Sequence, residues 1–174
     1  FRKVKVLGVI GNHGRNGPYG GNAHPKTNWD LVTMKTLEIS MAKEKRIEFD
    51  ITDNWYQVDN ILGWSNLIIH GHQVRGGFAG FPWYGVGRRA AGWKAAIRDW
   101  KSDGDNWNRY LWLGHFHTPA MATLNDVIML ANGTSESDNE FARSELAAAG
   151  RPCQRVAFFT EEEGMVADLL VYLD

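Results

Sequence analysis

Two histidines separated by one residue, His115 and His117, follow a short apolar run in the stretch Y-L-W-L-G-H-F-H-T-P (110–119). The run predicts a buried strand, and Gly114 marks the point where the chain leaves it. In extended backbone, side chains at positions i and i+2 point the same way, so both imidazoles can face one small volume. Neutral imidazole is a good ligand for Zn, Mn, Fe or Ni. Taken alone, the pattern fits a metal site and a pair of exposed loop histidines equally well.

Two other apolar runs end in the same way. Each run leads into candidate ligands: V-K-V-L-G-V-I-G-N-H-G-R (4–15) reaches Asn12 and His13, and N-L-I-I-H-G-H (66–72) reaches His70 and His72. In open α/β folds, ligands bind in the crevice outside the carboxyl ends of the strands. Three strand ends that carry polar, ligand-type side chains therefore predict a common site, and they favour the metal interpretation of the first pair.

The three motifs occur in the order G-N-H, H-G-H and G-H-x-H. This ordered set resembles the calcineurin-like metallophosphoesterase superfamily. The resemblance extends from Gly11 to Gly133 if N-G-T (132–134) is counted as the strand exit that such proteins often carry. It implies a dinuclear metal-dependent phosphoesterase, which hydrolyses a phosphomonoester or phosphodiester through a metal-activated water. The substrate would be a nucleotide, a nucleic acid end or a small phosphoester.

The resemblance also implies a role for each candidate residue. Asn12, His70 and His115 would ligate one divalent metal ion, and His117 would ligate the second. His13 would contact the phosphate and act as general acid towards the leaving oxygen. The two ions would be Mn, Fe, Ni or Zn.

The sequence departs from the superfamily pattern beside His13. The next position usually carries an acidic residue that orients the histidine, whereas this chain has Gly14 followed by Arg15. Either another carboxylate takes this role, or Arg15 binds the phosphate through its guanidinium. A solvated loop arginine is the alternative for Arg15. We expect His72 to lie behind the ligands or at the rim of the pocket, and we assign it to substrate binding.

Two further motifs of the superfamily, Asp-x-His and Gly-Asp-x-x-Asp, do not occur before G-N-H. The second would supply the carboxylate that bridges the two metal ions. We therefore expect the chain to be the C-terminal part of a longer or split metallophosphoesterase domain, completed by an N-terminal segment or a separate chain. Without that part, we expect weak binding of the second ion and poor hydrolysis.

Composition limits the remaining classes. The 174 residues are enough for one domain with its own core, and no apolar run approaches the roughly 20 residues of a membrane span. The net charge of −1 gives no general attraction to nucleic acid or to an anionic membrane. One cysteine, Cys153, excludes an intrachain disulfide and suits a reducing compartment, so we predict a cytoplasmic protein.

Apolar runs alternate with helical patterns and then give way to strands, which predicts an α/β fold. We expect a metallophosphoesterase-like sandwich with a central mixed β-sheet flanked by helices. The predicted strands are 3–10, 47–51, 66–69, 110–113, 127–131, 155–160 and 165–173, and the predicted helices are 27–45, 88–101 and a short one within 136–150. Thr27 and Asp30 form the predicted N-cap pair of the first helix, whose apolar residues Leu31, Met34, Leu37 and Met41 lie three and four positions apart.

Three functions remain open. The first is the phosphoesterase described above. The second is a binding or scaffold module that kept the fold and lost catalysis, which Gly14 and the absent motifs would allow. The third is a structural domain that holds a single metal ion. Metal content separates them, because about two ions per intact protein supports the first function, about one the third and none the second.

Overall fold

The computed structural model describes residues 2–17, 25–75, 81–101, 109–136, 144 and 150–173. The described residues form strands β1 (Val4–Gly8), β2 (Ile47–Ile51), β3 (Tyr56–Ile61), β4 (Trp64–Ile69), β5 (Arg109–Leu113), β6 (Ala120–Leu124), β7 (Val127–Ala131), β8 (Cys153–Thr160) and β9 (Gly164–Tyr172). They also form helices α1 (Trp29–Ser40) and α2 (Trp83–Ala96), and a short 3-10 turn (Pro25–Thr27) precedes α1.

Five strands form a mixed central sheet in the order β3-β4-β5-β7-β6. β4, β5 and β7 are parallel to one another, whereas β3 and β6 run antiparallel at the edges. Most residues of the three parallel strands are buried, because such strands are covered on both faces. β1 and β2 form a separate parallel pair, and β8 and β9 form a hairpin. The predicted α/β fold with a central mixed sheet is confirmed.

Alternate residues of the parallel strands face opposite sides of the central sheet. Leu67, Leu111 and Met129 lie side by side in register and share one fully buried cluster with α2. On the other face, Tyr110 and Leu130 pack against the β8–β9 hairpin. The Tyr110 hydroxyl also accepts a hydrogen bond of 2.9 Å from the backbone of β9. The sheet is therefore held between α2 and the hairpin, which fixes the edge from which the candidate histidines leave.

The start of α1 differs from the prediction. Its N-cap is Asn28 rather than Thr27, since Asn28 has extended backbone (φ −87°, ψ 132°) and its side chain accepts a hydrogen bond from the Asp30 N–H. Within the described part of the chain, no residue of α1 is fully buried. Leu31 and Met34 are half-buried, and Met34 lies against Gly8 of β1.

Other boundaries also differ. α2 spans Trp83–Ala96, whereas the predicted helix spans 88–101, and no strand is predicted at either edge of the sheet, β3 or β6. Edge strands mix polar with apolar residues and depend on a neighbour for their stability, so their sequence signal is weak. The predicted helix within 136–150 lies almost wholly outside the described residues. Neither described helix has the length and apolar character that a membrane crossing requires.

We predict that Leu111→Ala lowers the free energy of unfolding by about 2–5 kcal/mol, because it leaves a cavity in the middle of the core. Leu111 is fully buried, whereas Met121 on β6 is 52% exposed. Met121→Ala is the matched control and should change the free energy by less than about 0.5 kcal/mol. Urea unfolding of both variants measures the difference, and equal losses would contradict a core centred on β5.

Candidate metal centre

β4 and β5 end side by side, with Ile69 paired to Leu113, so both strands leave the sheet at the same edge. His70 follows β4 directly, and His115 follows β5 after one glycine. The ring centres of the two histidines lie 5.1 Å apart. The Gly114 N–H donates a hydrogen bond of 2.9 Å to the carbonyl of His70, which ties the two exits together. The fold thus brings the two strand-end histidines into one place.

Asn12 joins this pair from the separate β1–β2 sheet. Its side-chain Oδ1 lies 2.8 Å from Nε2 of His70. Two ligands that bind one ion at about 2.0–2.2 Å and near right angles lie roughly 3 Å apart, and two imidazoles on one tetrahedral ion have ring centres roughly 5 Å apart. The spacing of Asn12 from His70 and that of His70 from His115 therefore each suit a shared ion.

The other candidate histidines surround this trio. The ring centre of His72 lies 5.5 Å from that of His70 and 6.3 Å from that of His115. Nδ1 of His72 is buried and has no hydrogen-bond partner within the described ranges. His13 and His117 lie near enough for their charges to lower the pKa of both His70 and His115.

Burial keeps the two strand-end histidines neutral. Desolvation, followed by repulsion from the neighbouring histidines, lowers the pKa of His70 from 6.5 to about 3 and that of His115 from 6.5 to about 4. A neutral imidazole has a free lone pair, which is the form that binds a metal ion. Both side chains are therefore uncharged at neutral pH, which is the charge state from which an imidazole binds a metal ion.

The backbone at His115 and His117 is left-handed, whereas the prediction was extended backbone. His115 has φ 66° and His117 has φ 55°. The Phe116 N–H donates to the Gly114 carbonyl at 2.7 Å, which closes a tight three-residue turn around His115. Left-handed backbone at a non-glycine residue costs about 1–3 kcal/mol and is concentrated at functional sites. The predicted extended backbone is wrong, because the chain turns sharply as soon as it leaves β5.

The loop that carries Asn12 and His13 is held at both ends by the first turn of α1. The Gly11 N–H donates to Oδ2 of Asp30 at 2.7 Å, and Nδ2 of Asn28 donates to the Gly11 carbonyl at 3.0 Å. At the other end, the Trp29 N–H donates to the Gly14 carbonyl at 2.6 Å. We call Gly11–Gly14 the clamped loop.

The glycine at position 14 leaves room for this clamp. A Cβ on Gly14 would lie 2.2 Å from Oδ1 of Asn28 and 2.4 Å from Oδ1 of Asp30. The carboxylate of Asp30 thus stands beside the position at which the sequence lacks an acidic residue. The sequence pattern assigns Asp30 only to a helix cap. The role of Asp30 could have been predicted from two features of the sequence, the glycine at position 14 and the Asn-x-Asp pattern at the start of α1.

Two candidate substrate-binding residues are near each other. The pKa of His72 is lowered first by burial and then by the positive charge of Arg15, while the charge of Asp30 acts in the opposite direction. The same edge of the site therefore carries a cation and a carboxylate.

The donor types and pairwise spacings fit a divalent ion, but they do not amount to a complete shell. Within the described ranges, no three His, Cys, Asp or Glu side chains surround a common point. The candidate set with contacts between its members is Asn12, His70 and His115, in which one ligand is an amide.

Comparison with known proteins gives structural likenesses at low identity. No family model matches the chain, and no curated protein matches it significantly. A single mutant of Vps29 from Entamoeba histolytica is similar, with 16% identity and a TM-score of 0.47 over 97% of this chain and 99% of that one. Wild-type Vps29 from the same organism, complexed with Zn²⁺, has 14% identity and a TM-score of 0.46 over 97% of each chain.

A conserved uncharacterised protein of Streptococcus pneumoniae, described as a predicted phosphoesterase, is also similar. It has 9% identity and a TM-score of 0.36, over 82% of this chain and 91% of that one. Likenesses this distant assign no role to any residue of this chain.

We predict that the metal-free protein loses stability as the pH falls below about 6.5. The unfolded chain binds protons on its histidines near that pH, whereas His70 and His115 stay neutral in the folded state until about pH 3 and 4. The free energy of unfolding is therefore highest above about pH 6.5 and falls as the pH drops from 6.5 towards 4 and 3. Urea unfolding in the presence of a chelator, between pH 7 and 5, measures the loss. His115→Gln should make it smaller, and an unchanged pH dependence would contradict the burial of His115.

We predict that Gly14→Ala destabilises the protein, because its Cβ would overlap the polar atoms of Asn28 and Asp30. Gly87→Ala is the matched control. Gly87 lies within α2 with open space around it, so alanine there should stabilise the helix by about 0.5–1 kcal/mol. Thermal unfolding compares the two variants. A Gly14→Ala protein as stable as the Gly87→Ala protein would show that the clamped loop is not packed against α1.

Proposed function

We propose that the chain carries the metal-binding part of a dinuclear metal-dependent phosphoesterase. The observation that carries the proposal is the meeting of Asn12, His70 and His115, which come from three separate strand exits and have spacings that suit one divalent ion. We assign these three residues to one ion and His117 to a second. Their donor types suit Mn, Fe, Ni or Zn.

Bound ions would supply positive charge for the phosphoryl oxygens and activate a water molecule for attack. The side chains of the chain would perform the remaining steps. His13, next to Asn12 in the clamped loop, is assigned to protonate the leaving oxygen. Arg15 and His72 are assigned to the phosphate, since they lie near each other and a guanidinium can bind two phosphoryl oxygens at once.

The charge balance of this site calls for a further ligand. Asn and His ligands are neutral, so they do not offset two divalent ions held close together. We therefore propose that a carboxylate from an N-terminal segment, or from a separate chain, completes the second metal site. On this proposal residues 1–174 form one domain, which is the C-terminal part of a longer or split metallophosphoesterase domain.

The net charge of the chain supports a small phosphoester or a nucleic acid end as the substrate. A net charge of −1 gives no broad attraction to a polyanion. We therefore favour a nucleotide, a small phosphoester or a nucleic acid end over a long duplex.

A catalytically lapsed binding or scaffold module is the second candidate. Gly14 favours it, because the superfamily that the motifs resemble usually carries an acidic residue at this position to orient the neighbouring histidine. Such a module would hydrolyse no phosphoester, and its metal content would be close to zero.

We predict that the chain extended by its upstream segment hydrolyses a generic aryl phosphodiester in the presence of Mn²⁺, and that residues 1–174 alone do so poorly. His115→Ala in the extended protein removes a proposed ligand. Activity should therefore fall by more than the roughly 10–100-fold that is typical of residues behind the ligands. Release of the aryl alcohol measures both effects.

Met121→Ala, on an exposed edge of the sheet, is the control and should keep full activity. Metal content, measured on the same samples, should be about two ions per extended protein. Equal activity in the short and extended forms would overturn the incomplete-domain proposal. Undiminished activity in His115→Ala would overturn the phosphoesterase itself, and an inactive protein without metal would favour the lapsed module.

A further inference from the structure

We infer that Asp30 is a positioning residue of the candidate metal centre: its carboxylate holds the clamped loop so that Asn12 and His13 face His70. The expected effect on metal binding rests on the proposed function. The hydrogen bonds of Asp30 do not depend on a metal ion, so they can be tested in the metal-free protein.

The first argument is the hydrogen bond that Asp30 accepts. Oδ2 of Asp30 takes the Gly11 N–H at 2.7 Å, in a part-buried position. Gly11 directly precedes Asn12, so this contact sets the direction in which the Asn12 side chain leaves the backbone. Asn28 reinforces it from the other side through its bond to the Gly11 carbonyl. Both polar backbone groups of Gly11 are thereby fixed by residues of one helix start.

The second argument is the lack of free space around this contact. A Cβ on Gly11 would lie 3.1 Å from Oδ2 of Asp30 and 3.1 Å from Nδ1 of His70. A side chain at Gly11 would therefore push Asp30 or His70 away by a few tenths of an ångström. This close packing leaves the loop little room to shift towards either side chain, and it favours the observed contact of Asn12 with His70.

Three substitutions of Asp30 distinguish its positioning of the clamped loop from the stabilisation of α1 by a negative charge at the helix start. Asp30→Asn keeps an oxygen that can accept the Gly11 N–H. Asp30→Glu keeps the negative charge at the start of α1, where it favours the helix, but its extra methylene does not fit between Gly11 and Gly14. Asp30→Ala removes both. Glu38→Ala is the matched control, because Glu38 is a carboxylate of the same helix that pairs with Lys35 on its exposed side.

The first measurement uses the metal-free protein. Amide hydrogen exchange at Gly11 and the ring ¹⁵N resonances of His70 report directly on the clamp and on the Asn12 contact. We expect Asp30→Ala and Asp30→Glu to lose protection at Gly11 and to shift the His70 resonances, whereas Asp30→Asn and Glu38→Ala stay close to the wild-type protein. Unchanged signals in folded Asp30→Ala would overturn the inference, whatever the protein does with metal.

The second measurement is Mn²⁺ affinity by calorimetry on the same four variants. Loss of a residue that orients a ligand costs about 10–100-fold in metal affinity, and we expect this loss for Asp30→Ala and Asp30→Glu but not for Asp30→Asn. If Asp30→Glu binds Mn²⁺ like the wild-type protein, Asp30 acts only through the charge of the helix start and the inference fails. If no variant binds Mn²⁺ while the exchange pattern is as expected, the proposed function fails and the positioning role stands.

Discussion

Both polar backbone groups of Gly11 are bonded to the first turn of α1, through Asp30 on one side and Asn28 on the other. This pair of hydrogen bonds links the small β1–β2 sheet to the edge of the central sheet, since the next residue, Asn12, lies 2.8 Å from His70. Without it, the strand exits would still carry ligand-type residues, but one of the three would have no fixed direction. The candidate site therefore depends on a helix that has no fully buried residue within the described part of the chain.

Burial gives the site its electrostatic character. Desolvation and mutual repulsion hold His70 and His115 neutral far below neutral pH, so the site is ready to bind a cation without first releasing protons. The same burial makes the site a weak point of the metal-free fold in mild acid. Backbone strain lowers the stability of the metal-free protein further, because His115 and His117 both have left-handed backbone. A bound cation would offset both costs, which is the physical link between stability and the proposed function.

The sequence predicted what depends on local pattern. Apolar runs that end in Asn or His identified the parallel strands and placed His70 and His115 at one edge of the sheet. It did not predict the left-handed turn at His115, which a backbone hydrogen bond closes after β5. Nor did it predict the contact of Asp30 with Gly11, because these residues are 19 positions apart and meet only through the packing of α1. Roles of the ligands remain proposals, since they depend on an ion that pattern alone does not reveal.

Anomalous X-ray diffraction from crystals grown with Zn²⁺ tests the central claim most directly. The account predicts a peak about 2.0–2.2 Å from Nε2 of His70, from Oδ1 of Asn12 and from a ring nitrogen of His115. A single measurement of this kind places the ion relative to all three strand exits at once. A peak that contacts none of these atoms, or no peak at full Zn²⁺ loading, would contradict a metal centre at this edge of the sheet.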